Sequence, residues 1–216
     1  DPQDELWVTQ RVTLGQQEQD GWKNTVIVEC KPLPLVERAP LFRDGIECVV
    51  SSVRRTPPES ISPRAKTHNY VNLLLADREV KALRPTAWSV LLDKHGNLCE
   101  GIGSNLFLVQ GGTLRTPREQ MVLPGVSRSM VLELASNLGI PAEEADLDLF
   151  DAAAAEEAFM TSTSLCLCPI ASINDRPVGT TYGPVTRALI EAWSAEIGLD
   201  FVQQYLDKLA EPVTVG

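Results

Sequence analysis

Four short stretches of this chain bring together residue types that can do chemistry. The most organised is Leu-Pro-Gly-Val-Ser-Arg at Leu123–Arg128. It precedes an amphipathic run from Ser129 to Leu138, in which Met130, Val131, Leu134, Ala135 and Leu138 recur at helical spacing. Pro124 and Gly125 suit a turn, and Ser127 suits the helix N-cap. A helix start offers unpaired backbone N–H groups and the positive end of a dipole, which together attract phosphate. Taken alone, the same stretch reads equally as an ordinary capped helix with no ligand. The other three stretches are Lys66-Thr67-His68-Asn69-Tyr70, the run Glu100-Gly101-Ile102-Gly103-Ser104-Asn105-Leu106-Phe107, and Phe159-Met160-Thr161-Ser162-Thr163-Ser164. A lone lysine is ordinarily a solvated charge, and a glutamate ahead of a glycine is ordinarily a hairpin residue. A lysine amine acts as nucleophile and proton carrier only when desolvation or a neighbouring cation lowers its pKa.

In this order and spacing the four stretches resemble the class IV aminotransferases, the pyridoxal-phosphate enzymes of fold type IV. That family includes branched-chain and D-amino-acid transaminases, (R)-selective amine transaminases and aminodeoxychorismate lyase. The match runs from about Arg64 to Ala188. The resemblance implies pyridoxal 5'-phosphate as cofactor, with Lys66 forming the Schiff base. It assigns Glu100 to the cofactor's ring nitrogen, which must stay protonated if the ring is to act as an electron sink. Gly101 and Gly103, lacking a Cβ, let backbone pass close to the ring. The phosphate falls to the N–H groups of Val126 and Ser127, the Ser127 hydroxyl and Thr163, with Gly125, Ser104 and Asn105 also on the cofactor. Leu123 packs on the ring face, and Tyr70 neighbours the ring hydroxyl or serves packing alone. Ser164 and Leu165 present backbone N–H groups to the substrate, and Arg128 braces the turn.

The implied activity is transamination between an amino acid or amine and a 2-oxo acid. The alternatives are a lyase of the aminodeoxychorismate type, or a non-catalytic remnant acting as a binding subunit. Family members carry a further N-terminal domain that supplies an arginine to the phosphate and much of the substrate pocket, partly across a dimer interface. Residues 1–14 resemble only its last strand. The expected assembly is therefore a homodimer, completed by an N-terminal segment. Arg54, Arg55 and Arg64 are the arginines near enough in sequence to supply charge to the site.

Composition limits the other classes. The 216 residues allow one large or two small domains, and the 44% hydrophobic and 22% charged fractions are those of a globular chain. A net charge of −10 argues against a nucleic-acid footprint and against binding to anionic membranes. The longest apolar runs, such as Val71 to Ala76, fall short of a membrane span, and the acidic N-terminus is unlike a signal peptide. A cytoplasmic location follows as the default. Cys30, Cys48, Cys99, Cys166 and Cys168 stand in apolar or strand-like surroundings and read as buried reduced thiols, the last two on one face of a strand. With only two histidines, no metal-ligand spacing appears.

The elements that must position these residues follow from pattern. Strands are expected at Leu6 to Leu14, Thr25 to Cys30 and Gly45 to Val53, with loops at Gly15 to Gly21 and Arg54 to Pro63 and an extended Pro32-Leu33-Pro34. A helix is expected over Tyr70 to Leu83, ended by Arg84-Pro85. Hairpins follow: Trp88 to Leu92 with Leu98 to Glu100, then Leu106 to Val109 with Thr113 to Arg115. The helix after Ser127 closes at Leu138-Gly139-Ile140, and Asp148 to Glu157 reads as a short helix. Strands at Ala158 to Met160 and Leu165 to Ile173 precede a last helix, Val185 to Ile197. Strands and helices that mix without strict alternation predict an α+β fold. Residues 1–45 are expected to be the end of a small N-terminal domain with its connection, and residues 46–216 the large cofactor-binding domain.

Overall fold

The computed structural model describes residues 5–210. It opens with a hairpin of β1 (Leu6–Glu18) and β2 (Gly21–Pro32), which pair with each other and with no other strand among the described residues. The loop expected over Gly15 to Gly21 shrinks to a turn at Gln19-Asp20. Gly15 has φ +78° and stands where the register shifts between Thr13 and Gln16; a Cβ there would lie 1.9 Å from the Lys23 carbonyl oxygen. The polar Gln16, Gln17 and Glu18 looked like loop because they lack an apolar face, but this end of the hairpin is exposed on both sides and needs none.

Next comes α1 (Leu35–Asp44), a helix that Pro34 and Pro40 concealed. Pro34 is its N-cap; Pro40 lies inside and forgoes a backbone bond, which costs about 3 kcal/mol in an unsupported helix. Burial of Leu35, Ala39 and Phe42 offsets that cost. The remaining strands are β3 (Ile46–Val50), β4 (Trp88–Leu92), β5 (Leu98–Gly101), β6 (Asn105–Gln110), β7 (Thr113–Pro117), β8 (Ala142–Ala145), β9 (Glu157–Ser162), β10 (Cys166–Ile173) and β11 (Arg176–Pro177). Their pairings close on themselves: β10, β3, β4, β5, β6 and β9 follow one another and β9 returns to β10. The β10–β3 and β3–β4 pairs are parallel and the other four antiparallel. A helix must therefore cross over between β3 and β4, and α2 (Val71–Leu83) does so. Four more α-helices follow among the described residues: α3 (Val126–Asn137), α4 (Leu149–Ala154), α5 (Pro184–Ile197) and α6 (Phe201–Leu206).

Phe107 of β6 and Phe159 of β9, directly opposed in the register, are buried and stack with centroids 5.0 Å apart. Phe42 of α1 stacks on Tyr205 of α6 at 4.2 Å, so the hidden helix is packed against the C-terminal one. The mixed architecture is the α+β fold expected.

Several expectations shift at their edges. The Gly45 to Val53 strand ends at Val50, and the helix over Tyr70 to Leu83 starts one residue later, with Tyr70 as its N-cap. That helix buries Leu73, Ala76 and Val80, while Val71, Leu74 and Leu75 face outward. The helix expected from Ser129 begins at Val126, so Gly125 is the N-cap and Ser127 lies inside the first turn. The Asp148 to Glu157 helix is only α4, opened by a reciprocal cap between Asp148 and Asp151, and Glu157 already belongs to β9. Ala142–Ala145, whose Ala-Glu-Glu-Ala favours helix, is drawn into β8 by parallel pairing with β7. Of the cysteines, Cys48, Cys99 and Cys168 are buried and Cys166 partly so, but Cys30 is exposed on the hairpin. Burial pushes the Cys99 thiol up to about 12 and Cys166 to about 11. Among the described residues no helix is long and apolar enough to cross a membrane.

Candidate active site

Glu100 is the centre of the arrangement. It is the penultimate residue of the buried strand β5 and is only 5% exposed, an expensive place for a carboxylate. Two donors meet it: Arg55 Nε at 2.7 Å on Oε1 and the Leu123 N–H at 3.0 Å on Oε2. Burial pushes the Glu100 carboxyl up, while the Arg55 guanidinium, the Leu123 N–H and the field of Lys66 pull against that rise. Arg55 is thus singled out from the three candidate arginines. Arg64 pairs instead with Glu119, and Arg54 lends its carbonyl to Asn72.

Asn72, at the start of α2, holds the loop that carries Arg55. Its Nδ2 donates to the Arg54 carbonyl at 2.6 Å and its Oδ1 accepts from the Thr56 N–H at 3.2 Å, so the clamp grips both neighbours of Arg55. Glu79, two turns along the same helix, accepts from the Ser52 N–H at 3.1 Å and from the Ser51 hydroxyl, fixing where the loop leaves β3. Nothing in the local sequence marks Asn72 or Glu79 for this. Their partners lie across the crossover, and asparagine early in a helix is unremarkable.

The turn between β5 and β6 is drawn tight by the Gly101 N–H donating to the Ser104 carbonyl at 2.9 Å. A Cβ on Gly101 would strike Ser104 Oγ at 2.4 Å. Ser104 Oγ itself donates to Met160 Sδ at 3.3 Å, so this side chain secures the turn and is buried. Asn105 reaches the other way: its Nδ2 donates to the Leu123 carbonyl at 2.9 Å. Leu123 therefore receives one contact from Glu100 and one from Asn105, and both ends of its peptide are held. A Cβ on Gly125 would lie 2.3 Å from Asn105 Oδ1, which is why glycine caps α3. No side chain caps this helix; Val126 at its start is 84% exposed, whereas Ser127 and Arg128, which follow it, are buried. Arg128 is buried, donates to the Pro117 carbonyl at 3.1 Å and pairs with Glu144 at 2.8 Å; it braces the turn.

Lys66 is exposed, with Nζ 5.9 Å from the centroid of the Tyr70 ring. Between them His68 adopts φ +58°, a left-handed conformation uncommon for a side-chain-bearing residue, and its carbonyl accepts from the Tyr70 N–H. The β9–β10 turn brings Thr163, exposed, and Ser164, partly buried, to the same end of the ring, since Thr161 pairs with Asn105. The Leu165 N–H donates back to Ser162, at 3.2 Å to its carbonyl and 3.3 Å to its hydroxyl, so it is already engaged within the turn. Ser164 is gripped from outside: Arg38 Nη1 donates to its hydroxyl and the Tyr205 hydroxyl to its carbonyl. Arg38 carried no sequence signal, because its helix was itself hidden by prolines.

The arrangement combines a buried carboxylate, an amine whose field reaches it, and a helix start without a side-chain cap. The model of amino-transferase class IV matches residues 5–173. The chain belongs to the class IV aminotransferase family. The branched-chain-amino-acid aminotransferase of Escherichia coli strain K12 is 33% identical over 185 residues, covering 84% of this chain and 60% of that protein. The crystal structure of an Escherichia coli branched-chain amino acid aminotransferase superposes with a TM-score of 0.79 at 31% identity, covering 90% of this chain and 65% of that one. The holo, PLP-form enzyme of Thermobaculum terrenum gives 0.77 at 26%, covering 94% and 67%. The chain thus has the fold type IV architecture of these class IV enzymes, and it spans about 60% of the length of the curated relatives it matches.

Proposed function

We propose that this chain is the cofactor-holding part of a pyridoxal-phosphate-dependent transaminase acting on an amino acid and a 2-oxo acid. The observation that carries the reading is Glu100, a buried carboxylate held by Arg55 and the Leu123 N–H and within the field of Lys66. Bound pyridoxal phosphate supplies an electron sink next to the carbon that loses its proton. Lys66 Nζ carries the cofactor and moves the proton from one carbon to the other. Glu100 Oε2, which has a lone pair left after accepting from Leu123, keeps the ring nitrogen's proton in place. Leu123 covers the ring face, and Tyr70 stands near the ring hydroxyl.

The phosphate is bound by the N–H groups of Val126 and Ser127, the Ser127 hydroxyl and Thr163, at the uncapped start of α3. Gly125 keeps that start clear, and Asn105 with Ser104 holds the wall from which Leu123 and Glu100 project. Of the two amides assigned to substrate, that of Ser164 fits the role better, because Leu165 is engaged by Ser162. A branched-chain donor is the substrate class that the relatives support. The complete enzyme is a cytoplasmic homodimer, with residues 1–45 as the end of its small domain and a further N-terminal segment completing the pocket.

Borohydride reduction of protein loaded with pyridoxal phosphate tests the reading. A pyridoxyl mass should appear on the peptide that contains Lys66. Labelling of a different lysine, or of none, overturns it.

A further inference from the structure

Arg38 is a partly buried cation beside the β9–β10 turn to which these roles give no part. It projects from α1 to the β9–β10 turn, where Nη1 donates to Ser164 Oγ. Its guanidinium carbon lies 5.5 Å from the ring centroid of Trp7 and 5.9 Å from that of Trp88. Two aromatic rings within 6 Å attract its charge. The two most buried ion-paired arginines meet carboxylates: Arg55 meets Glu100 and Arg128 meets Glu144. Arg38 has no such partner within ion-pair distance among the described residues, and its polar contacts are hydroxyls. A partly buried cation with a neutral hydrogen-bond partner keeps donors free for an anion, and its fork matches a carboxylate. The hydroxyl it touches belongs to the residue whose amide faces substrate in the reading above. Ser164 is immobilised from behind by the Tyr205 hydroxyl, so guanidinium and amide are held as one unit.

We propose that Arg38 binds the carboxylate of the substrate, with Ser164 fixing the guanidinium at the edge of the site. The inference rests on the transaminase reading for the identity of the anion. The cofactor phosphate is the competing anion, and the experiment separates the two.

Calorimetry with 4-methylvaleric acid on the wild type and on Arg38→Leu reads the carboxylate site without turnover. Losing a charge-assisted pair should weaken binding on the order of thirtyfold or more, and Arg38→Lys should recover part of it. Equal affinity in the wild type and Arg38→Leu, or no binding by the wild type, overturns the proposal. Half-reactions on the cofactor-loaded protein with leucine and with isopentylamine, which lacks only the carboxylate, form the second arm. In Arg38→Leu the leucine rate constant kcat/KM should fall about a hundredfold while that for isopentylamine stays within about threefold. Equal loss on both marks a packing role, and a selective loss of cofactor affinity marks a phosphate ligand; either overturns the proposal. Should Arg38→Leu fail to fold, protection of Arg38 from phenylglyoxal by 4-methylvaleric acid in the wild type decides the matter, absence of protection overturning it. A protein that binds the acid through Arg38 but is not labelled at Lys66 leaves the carboxylate site standing and the transaminase reading refuted.

Discussion

At Glu100 two opposed effects are of similar size. Removing an ion from water costs several kcal/mol even after relaxation. An opposite charge in contact returns about 4 kcal/mol at the effective dielectric of a protein edge. Arg55 therefore makes the buried carboxylate tolerable without making it inert, and its second oxygen faces Leu123. Glu100→Gln should keep the fold and still take up cofactor, because size and shape are preserved. Single-turnover transamination should slow by on the order of a hundredfold or more, since the ring nitrogen loses its counter-charge; a near-wild-type rate would remove Glu100 from the mechanism. Asp93 shows the opposite balance. Burial pushes its carboxyl up, but the N–H groups of Asn97 and His95, with the Asn97 side chain, bring it below its ordinary value of 3.8. A folded-state pKa below the unfolded one means that the unfolded chain takes up the proton first. The stabilisation is complete above about pH 4 and is lost as pH falls through the folded value. Asp93→Asn should cost about 1–2 kcal/mol at neutral pH. Thermal melts should show the gap from wild type narrowing as pH falls below about 4, and a gap that stays constant would mean that charge is not its source.

Between elements, the link that matters runs from α2 to the loop after β3. Asn72 brackets Arg55 through the backbone on either side of it, so the helix places a charge that it does not itself carry. Asn72→Ala removes both bonds and should cost about 1–2 kcal/mol. Its more specific signature is faster hydrogen exchange at Thr56, with α2 amides unchanged; uniform loosening would point to general destabilisation instead. The same reasoning explains why α3 begins where it does. Gly125 is the cap because Asn105 fills the space a Cβ would need, a contact between β6 and the turn that no helix-start rule contains.

Across the whole molecule, the hairpin is the part whose strands pair with no other strand among the described residues. Residues opposed across an antiparallel pair share a face, so Leu6, Val8, Val12, Val26, Val28 and Cys30 lie on one side of it. All six are exposed. The other side carries Thr9 and the Arg11–Glu29–Lys31 ion pairs. An isolated two-stranded sheet is marginal in water, and at ~25 cal/mol per Å2 covering such a face is worth several kcal/mol. Light scattering should therefore report a dimer or larger. A monomer that keeps the hairpin accessible to protease would argue against the homodimer proposed above.

What the amino-acid sequence determined by itself were the features written by near neighbours. Four motifs in order identified the family, short apolar runs joined by turn residues marked strands of the ring, and Gly139 marked the end of α3. What only the tertiary structure decided were choices among equals. Three arginines stood near the site, and Arg55 was selected by a contact across 45 residues with Glu100. Two apolar stripes competed on α2, and the sheet selected Leu73, Ala76 and Val80. Pro40 argued against a helix at α1, and packing of Phe42 on Tyr205 overrode it. Propensities and caps act over a few residues, at about 1 kcal/mol or less each. Burial and ion pairing act between residues far apart in the chain at several times that size, so they settle what local signals leave open.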